Sequence, residues 1–274
     1  MPRISVLMGI YNCAPTLAEA LDSMLAQTYQ NFKVILCDDG SKDNTVAVAQ
    51  SYVSKYPDKF MLIRNERNMG LNYTLNHCLE YADTELVARM DGDDISLPER
   101  FEVEVNYLDT HPDCAVVSTP CTYFDEGGVF RKGVGQGDVK KMHFLRRPPM
   151  SHAPCMGYTK VFKTVGGYSV SPWLLRVEDY HLWFKIYAAG YKMHRMRESY
   201  YMMRDDRNAK GRRTWRSRLN EVYVKHIGYR MIGIPWYYQV YALEPIARQL
   251  LPDFVYQYLR RRKMNKGLRT KDSK

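Results

Sequence analysis

The sequence predicts an α/β fold: a mainly parallel, Rossmann-like sheet with helices on both faces, followed by a C-terminal helical extension. Three observations predict it. Short apolar runs alternate with segments of helical period over the first 120 residues. The links between them are short and polar, as in a parallel sheet with crossover helices. Two acidic clusters, Asp38-Asp39 and Asp91-Gly92-Asp93-Asp94, each follow an extended run. Carboxyl ends of strands in open α/β sheets are where ligands bind.

The elements follow in order. Ile4 to Ile10 reads as a buried strand. Ala14 to Thr28 reads as a helix: Pro15 suits its first turn, and Leu17, Leu21, Met24, Leu25 and Thr28 recur at helical spacing. Phe32 to Cys37 is a second strand that runs into the turn Asp38-Asp39-Gly40-Ser41. Asp43 to Tyr56 is a helix, Phe60 to Ile63 a strand, and Leu71 to Ala82 a helix with Leu71, Leu75, Cys78 and Leu79 on one face. Leu86 to Met90 is a fourth strand. A helix that Pro98 can start covers Leu97 to Asp109, and Ala115 to Thr119 is a fifth strand. Beyond Thr119 the alternation loosens. Residues 125–137 read as a hairpin or mobile loop, and Glu178 to Ala189 as a helix ended by Gly190. Tyr191 to Arg197 and Tyr200 to Met203 look extended. The expected division is an α/β domain over 1–210 and a basic, aromatic helical extension over 211–274.

Composition bounds the rest. A chain of 274 residues can bury one large domain, or one domain with an extension. The net charge of +10 is unevenly placed. Residues 1–200 carry 22 Lys/Arg against 24 Asp/Glu, whereas residues 201–274 carry 18 against 6. The basic last quarter implies an anionic partner: phospholipid headgroups, nucleic acid or polyphosphate. Residues 222–259 mix Trp, Tyr and aliphatic side chains with cations. Pro235, Pro245 and Pro252 are expected to break them into short helices, and Arg260-Arg261-Arg262-Lys263 closes the run. Such helices suit a bilayer interface; a helical cap packed on the first domain is the other reading. The six cysteines form no C-x-x-C pair and no zinc pattern, so they read as free thiols in a reducing compartment. No segment reaches the ~18–20 apolar residues that span a bilayer.

The chemistry starts at Arg89-Met90-Asp91-Gly92-Asp93-Asp94. Three carboxylates gather where a strand ends, and each raises the cost of ionising its neighbours. A divalent cation removes that cost, and oxygen ligands of this kind suit Mg²⁺ or Mn²⁺. The cluster reads as a metal–phosphate site or as a solvated acidic turn. Arg64, Arg67 and Arg89 flank the same edge, as phosphate contacts or as surface ion pairs. His152 is a structural histidine or has a catalytic or metal role. Trp173 and Trp183 can stack on a sugar; for Trp183, at helical spacing, a core position is the other reading.

Taken together, Ile4 to Asn12, Asp38-Asp39-Gly40-Ser41, Arg89 to Asp94 and Glu178-Asp179-Tyr180 resemble, in order and spacing, bacterial family 2 glycosyltransferases. The resemblance covers roughly residues 3–205, and the tail is similar to the extension of capsule and O-antigen members. It implies a GT-A fold, inverting transfer of the hexosyltransferase type and a Mg²⁺ or Mn²⁺ cofactor. It also implies roles by position. Tyr11 packs on the nucleobase and Asp39 accepts from a uracil or thymine imide, with one member of the Asp38-Asp39 pair orienting the loop. Asp91 and Asp93 match the D-x-D; the first faces the ribose or sugar and Asp93 ligates the metal. Asp179 matches the base, with Glu178 beside it, and Arg204 or Arg207 meets the diphosphate. His181 departs from relatives that carry a second Asp there, and the absence of Q-x-x-R-W sets aside a processive synthase.

The implied partners are a nucleotide-sugar donor, of UDP or dTDP type, a saccharide or lipid-linked saccharide acceptor in polysaccharide synthesis, and an anionic membrane surface. Nucleic acid is not among them, and the implied place is the inner face of the cell membrane. Two other readings stand beside this one. A sugar-phosphate nucleotidyltransferase would carry a Gly-rich, basic run near the first strand, where Gly9-Ile10-Tyr11-Asn12 stands. A non-enzymatic nucleic-acid-binding protein would use the basic tail.

Overall fold

In the first strand, β1 (Ile4–Ile10), side chains alternate between two apolar layers. Ile4, Val6, Met8 and Ile10 face one layer and Leu7 faces the other. A strand buried on both faces needs helices on both faces. The computed structural model describes residues 2–135, 137–205 and 214–250. Along it follow α1 (Ala14–Leu25), β2 (Phe32–Asp38), α2 (Thr45–Lys55), β3 (Phe60–Arg64), α3 (Leu71–Glu80), β4 (Leu86–Arg89), β5 (Ile95–Ser96) and α4 (Arg100–Thr110). Next come β6 (Cys114–Ser118), β7 (Cys121–Asp125), β8 (Gly128–Lys132), β9 (Gly137–Asp138), β10 (Cys155–Tyr158), α5 (Thr159–Thr164) and α6 (Glu178–Ala188). The chain continues through β11 (Lys192–Arg195), β12 (Tyr201–Arg204), α7 (Trp215–Met231) and α8 (Glu244–Leu250).

The main sheet has the order β3-β2-β1-β4-β10-β6-β11-β9. Strands β1 to β4, β6 and β11 run parallel, and β10 and β9 run against them. Helices α1, α2 and α4 cover one face through Leu17, Leu21, Met24, Ala49, Phe101 and Leu108. Helices α3, α5, α6 and α7 cover the other through Leu75, Cys78, Val161, Trp183 and Val224. A small second sheet, β5-β12-β7-β8, lies beside the acidic loop. This is the GT-A arrangement that the resemblance implied.

Several boundaries shift for local reasons. Helix α1 stops at Leu25, not Thr28, because the chain turns to meet 96–98: Gln27 Nε2 donates to Leu97 O (2.9 Å) and Thr28 N to Pro98 O (2.8 Å). Helix α2 starts at Thr45, not Asp43, because the Asp43 carboxylate accepts from Thr45 N (3.0 Å). Cys155–Tyr158 carries no strand signal in the sequence. It is the antiparallel strand that fills the middle of the sheet, and at Gly157 a Cβ would lie 2.7 Å from Ala115 O. The hairpin expected within 125–137 exists as β7–β8, and it starts earlier, at Cys121.

The extension corrects a second expectation in part. The chain does break at Pro235, after which a short 3-10 helix (Trp236–Leu243) and the seven-residue α8 follow; before it, α7 runs unbroken for 17 residues, and Pro245 stands in the first turn of α8, where a proline is tolerated. Val224, Tyr229, Ile232, Ile234 and Ala242 join the same apolar layer as α6. The expected boundary at 210/211 and the basic run at 260–263 lie outside the described residues.

The seam between α6 and α7 is tight at Gly228, where an added Cβ would sit 2.2 Å from the Phe184 ring. Both residues are buried. Gly228→Ala is expected to cost about 1–3 kcal/mol through overpacking, read as a lower urea midpoint in equilibrium unfolding.

Candidate active site

Parallel register places the strand ends side by side. Ile10 pairs with Asp38, Asp38 with Arg64, and Leu7 with Arg89. Both acidic clusters therefore leave the same edge of the sheet, as their sequence positions predicted.

In the acidic loop, single oxygens of Asp91, Asp93 and Asp94 all lie within 4.8 Å of one another. Arg89 closes the loop from behind. It is buried and grips Asp91 in a bidentate pair, Nη1 to Oδ2 at 3.0 Å. This corrects the surface-pair reading of Arg89. Asp94 is buried and points away from solvent; its Oδ1 accepts from Arg204 N (2.8 Å), which ties the loop to β12. The Tyr201 hydroxyl accepts from Asp91 N (3.2 Å). Burial first, then Asp91 and Asp93, push Asp94 up to about 8. Burial and Asp91 also raise Asp93, the exposed member of the three. Three crowded carboxylates, of which Asp93 and Asp94 resist ionisation, are what a hard divalent cation relieves, so the donor set fits Mg²⁺ or Mn²⁺. Arg204 is anchored beside them: Nε donates to Asp93 O (3.0 Å), the guanidinium pairs with Glu19, and its carbon lies 4.6 Å from the Phe124 ring centroid. Arg207 lies outside the described residues.

The second cluster divides its labour. Asp39 Oδ1 accepts from Asn65 Nδ2 (2.8 Å) and Met69 N (2.7 Å), and Oδ2 accepts from Gly70 N (2.9 Å). Asp39 thus draws the 65–70 loop against the sheet edge. Asp38 Oδ1 accepts from Ser41 N (3.2 Å), while its buried Oδ2 has no hydrogen-bond partner and lies 3.6 Å from Arg64 Nε. Tyr11 leaves β1 at the same edge, half-exposed. Asn12 behind it holds φ +47° and locks to the next turn, accepting from Lys42 N (2.8 Å).

Glu178 and Asp179 open helix α6 on the opposite layer. Asp179 keeps some exposure, and its Oδ1 accepts from Tyr180 N (2.7 Å). Burial, then the Glu178 charge, raise Asp179 to about 7. Arg89 acts in the other direction on Asp93, Glu178 and Asp179 alike. One buried cation therefore lies within electrostatic reach of both the acidic loop and the α6 pair. Between them, His152 Nε2 and Tyr168 Oη share a hydrogen bond of 2.8 Å. Burial first and then Arg89 hold His152 well below its ordinary value, so it is neutral. Trp183 is fully buried, as expected of a core position, and burial lowers His181 to about 4.

The 166–177 loop before Asp179 is held by three asparagines that sequence analysis did not single out. Asn76 Oδ1 accepts from Tyr168 N and its Nδ2 donates to Tyr168 O, both at 2.7 Å. Asn72 Nδ2 donates to Ser169 O (3.0 Å). Asn220, from α7, donates to Leu175 O (3.0 Å) and Pro172 O (3.3 Å). Arg176 in this loop holds φ +66°, a left-handed conformation in a non-glycine residue. Nothing local in the sequence signals these long-range amide contacts.

The chain matches the description Glycosyl transferase family 2 over residues 5–167. It is 35% identical over 265 residues to EpsE of Bacillus subtilis (strain 168), named as a glycosyltransferase, covering 96% of this chain and 95% of that one. It is 26% identical over 199 residues to WfaP of Escherichia coli, named UDP-Glc:alpha-D-GlcNAc-diphosphoundecaprenol beta-1,3-glucosyltransferase, covering 70% and 73%. Among solved structures it is similar to residues 1–349 of S. aureus TarS in complex with UDP. The TM-score is 0.67 at 19% identity, covering 90% of this chain and 70% of that one.

The three acceptor bonds of Asp39 generate a test. Asp39→Ala leaves three N–H donors without their partner, and a loss of at least about 2 kcal/mol in folding stability is expected. Thermal melts compared with Asp38→Ala will show whether Asp39 is the heavier structural member.

Proposed function

The chain belongs to glycosyl transferase family 2, and on that premise we propose an inverting hexosyltransferase. It moves a sugar from a nucleotide-sugar, a UDP-sugar, to a hydroxyl of a lipid-linked saccharide in polysaccharide assembly. The observation that carries this reading is that the three-carboxylate loop, paired to Arg89, and the Glu178-Asp179 start of α6 both open at the carboxyl edge of one sheet. TarS, solved with UDP, supports the donor nucleotide. WfaP, whose name specifies a diphosphoundecaprenol acceptor and a β-linkage, supports the lipid-borne acceptor and inversion.

Asp93 and Asp91 would hold Mg²⁺ or Mn²⁺. When bound, the cation neutralises the charge that gathers on a departing diphosphate and acts as a Lewis acid. The residues of the chain do the remaining work. Tyr11 packs on the base. A carboxylate has about four lone-pair sites; Asp39 uses three on its own loop and offers another to the uracil imide N–H. Asp91, fixed by Arg89, faces the ribose or sugar. Arg204, anchored next to Asp93, lies toward the diphosphate; the resemblance gives Arg207, outside the described residues, the same role. Asp179 takes the proton of the acceptor hydroxyl. Tyr180 N takes one lone pair of Oδ1, which leaves Oδ2 the freer of the two oxygens. No described helix is long and apolar enough to cross a membrane, and the proposed association is peripheral, on the inner face.

Two measurements test the site. The first is a thermal-shift assay with UDP and Mn²⁺ together. Ligand at about 100 times its dissociation constant adds about 2.7 kcal/mol to the folded state, so the melting temperature rises, and Asp93→Ala removes the response. No shift for the wild type would refute the donor reading. The second is the pH profile of kcat/KM. A base whose carboxyl is raised to about 7 is protonated below that pH, so the rate should climb with pH and level off above it. Glu178→Gln removes the neighbouring charge and should move that limb to lower pH.

A further inference from the structure

Helix α7 carries apolar residues on both of its sides. Its inward face buries Val224, Gly228 and Tyr229 together with Arg218, Asn220 and Lys225. Its outward face carries Trp215, Leu219 and Tyr223 at four-residue spacing, exposed by 51, 42 and 39%. A surface helix in water places its apolar stripe inward. The exposed stripe also continues beyond the helix. Trp173, in the loop that leads to Asp179, lies with its ring centroid 5.8 Å from that of Tyr223, and the Arg216 guanidinium sits 4.3 Å from the Trp173 centroid. Leu175 is exposed beside it. A contiguous exposed aromatic–aliphatic surface of this kind marks a contact.

Charge selects the occupant. Arg216 and Arg230 are exposed on α7, whose single acid, Glu221, is turned inward with its Oε1 3.4 Å from Lys225 Nζ. The outward face thus joins Trp and Tyr rings to cations without a described acid of its own helix. Trp and Tyr settle at the headgroup level of bilayers, and cations beside them are drawn to anionic lipids. We propose that the outward face of α7, with Trp173 and Leu175, rests in the interface of an anionic bilayer. Trp173 stands six residues before Asp179, so that contact would place the loop leading to Asp179 against the membrane. The proposal deepens the lipid-borne acceptor reading and rests on it for its purpose.

The test is flotation of the full-length protein with vesicles of phosphatidylcholine alone, and with vesicles of phosphatidylcholine and phosphatidylglycerol in equal parts. Wild type should float with the mixed vesicles and stay behind with the neutral ones. The triple variant Trp215→Ser, Leu219→Ser, Tyr223→Ser should lose about tenfold or more in vesicle affinity while melting like wild type. The charge variant Arg216→Glu, Arg230→Glu, which keeps the rings, should lose selectivity for phosphatidylglycerol; it decides the matter if the serine variant misfolds. Wild type that does not float, or both variants floating like wild type, overturns the proposal. So does a serine variant that turns a dimer into a monomer in sedimentation without changing flotation, since the stripe would then belong to a second copy. The UDP-induced melting shift, measured in parallel, reports on the donor site alone, so its loss leaves the surface assignment standing.

Discussion

The buried guanidinium of Arg89 is the interaction on which the site depends. Five carboxylates, three on one loop and two on one helix, converge on the C-terminal edge of the sheet. Without a compensating cation such a concentration would stay protonated or push its loops apart. Arg89 sits at the end of β4 and pairs with Asp91. Arg100 in turn donates to the Arg89 carbonyl (2.9 Å) from a fully buried position, itself paired with Glu104 at 3.2 Å. The cation is therefore fixed by backbone and by a second buried ion pair. Breaking such a buried pair by removing one partner is costly. The position of Arg89 reflects the charges on both sides of it.

The fold divides this task between its two layers. The α1, α2 and α4 layer sets the acidic loop and its neighbours: Glu19 from α1 holds Arg204, and Thr16 Oγ1 donates to Gly92 O (3.1 Å). The α3, α6 and α7 layer sets the Asp179 loop through Asn72, Asn76 and Asn220. The small β5-β12-β7-β8 sheet joins them, because Arg204 in β12 bonds to Asp94 through its backbone and to Asp93 through its side chain.

What could be read from sequence follows the range of the interactions. Strands β1 to β4 with their helices were legible because apolar periodicity and turn residues are local signals. Asp91 and Asp93 could be singled out because their spacing at a strand end is a local signal, and Asp179 only through the family resemblance. Three features could not. Strand β10 is four residues long with Gly157 inside it, too short and too weak in pattern to stand out. The asparagine clamps pair residues from 45 to 97 positions apart, and any Asn in a helix looks alike before folding. The surroundings of the buried Arg89 include Tyr168 and Tyr201, which come from distant parts of the chain. The extension was legible in composition only. Its aromatic residues and cations were visible, but which of them turn inward was decided by packing on α6.

The Asn220 amide has an implication for how the molecule comes into being. The loop that carries Asp179 is finished by a donor more than forty residues further along the chain. A nascent polypeptide can therefore assemble the sheet, both acidic turns and helix α6 while α7 is still inside the ribosome. The segment around Arg176 acquires its final shape only after that. Completion of the site is a late event of translation, and termination between β12 and α7 leaves every strand of both sheets present with one wall unfinished.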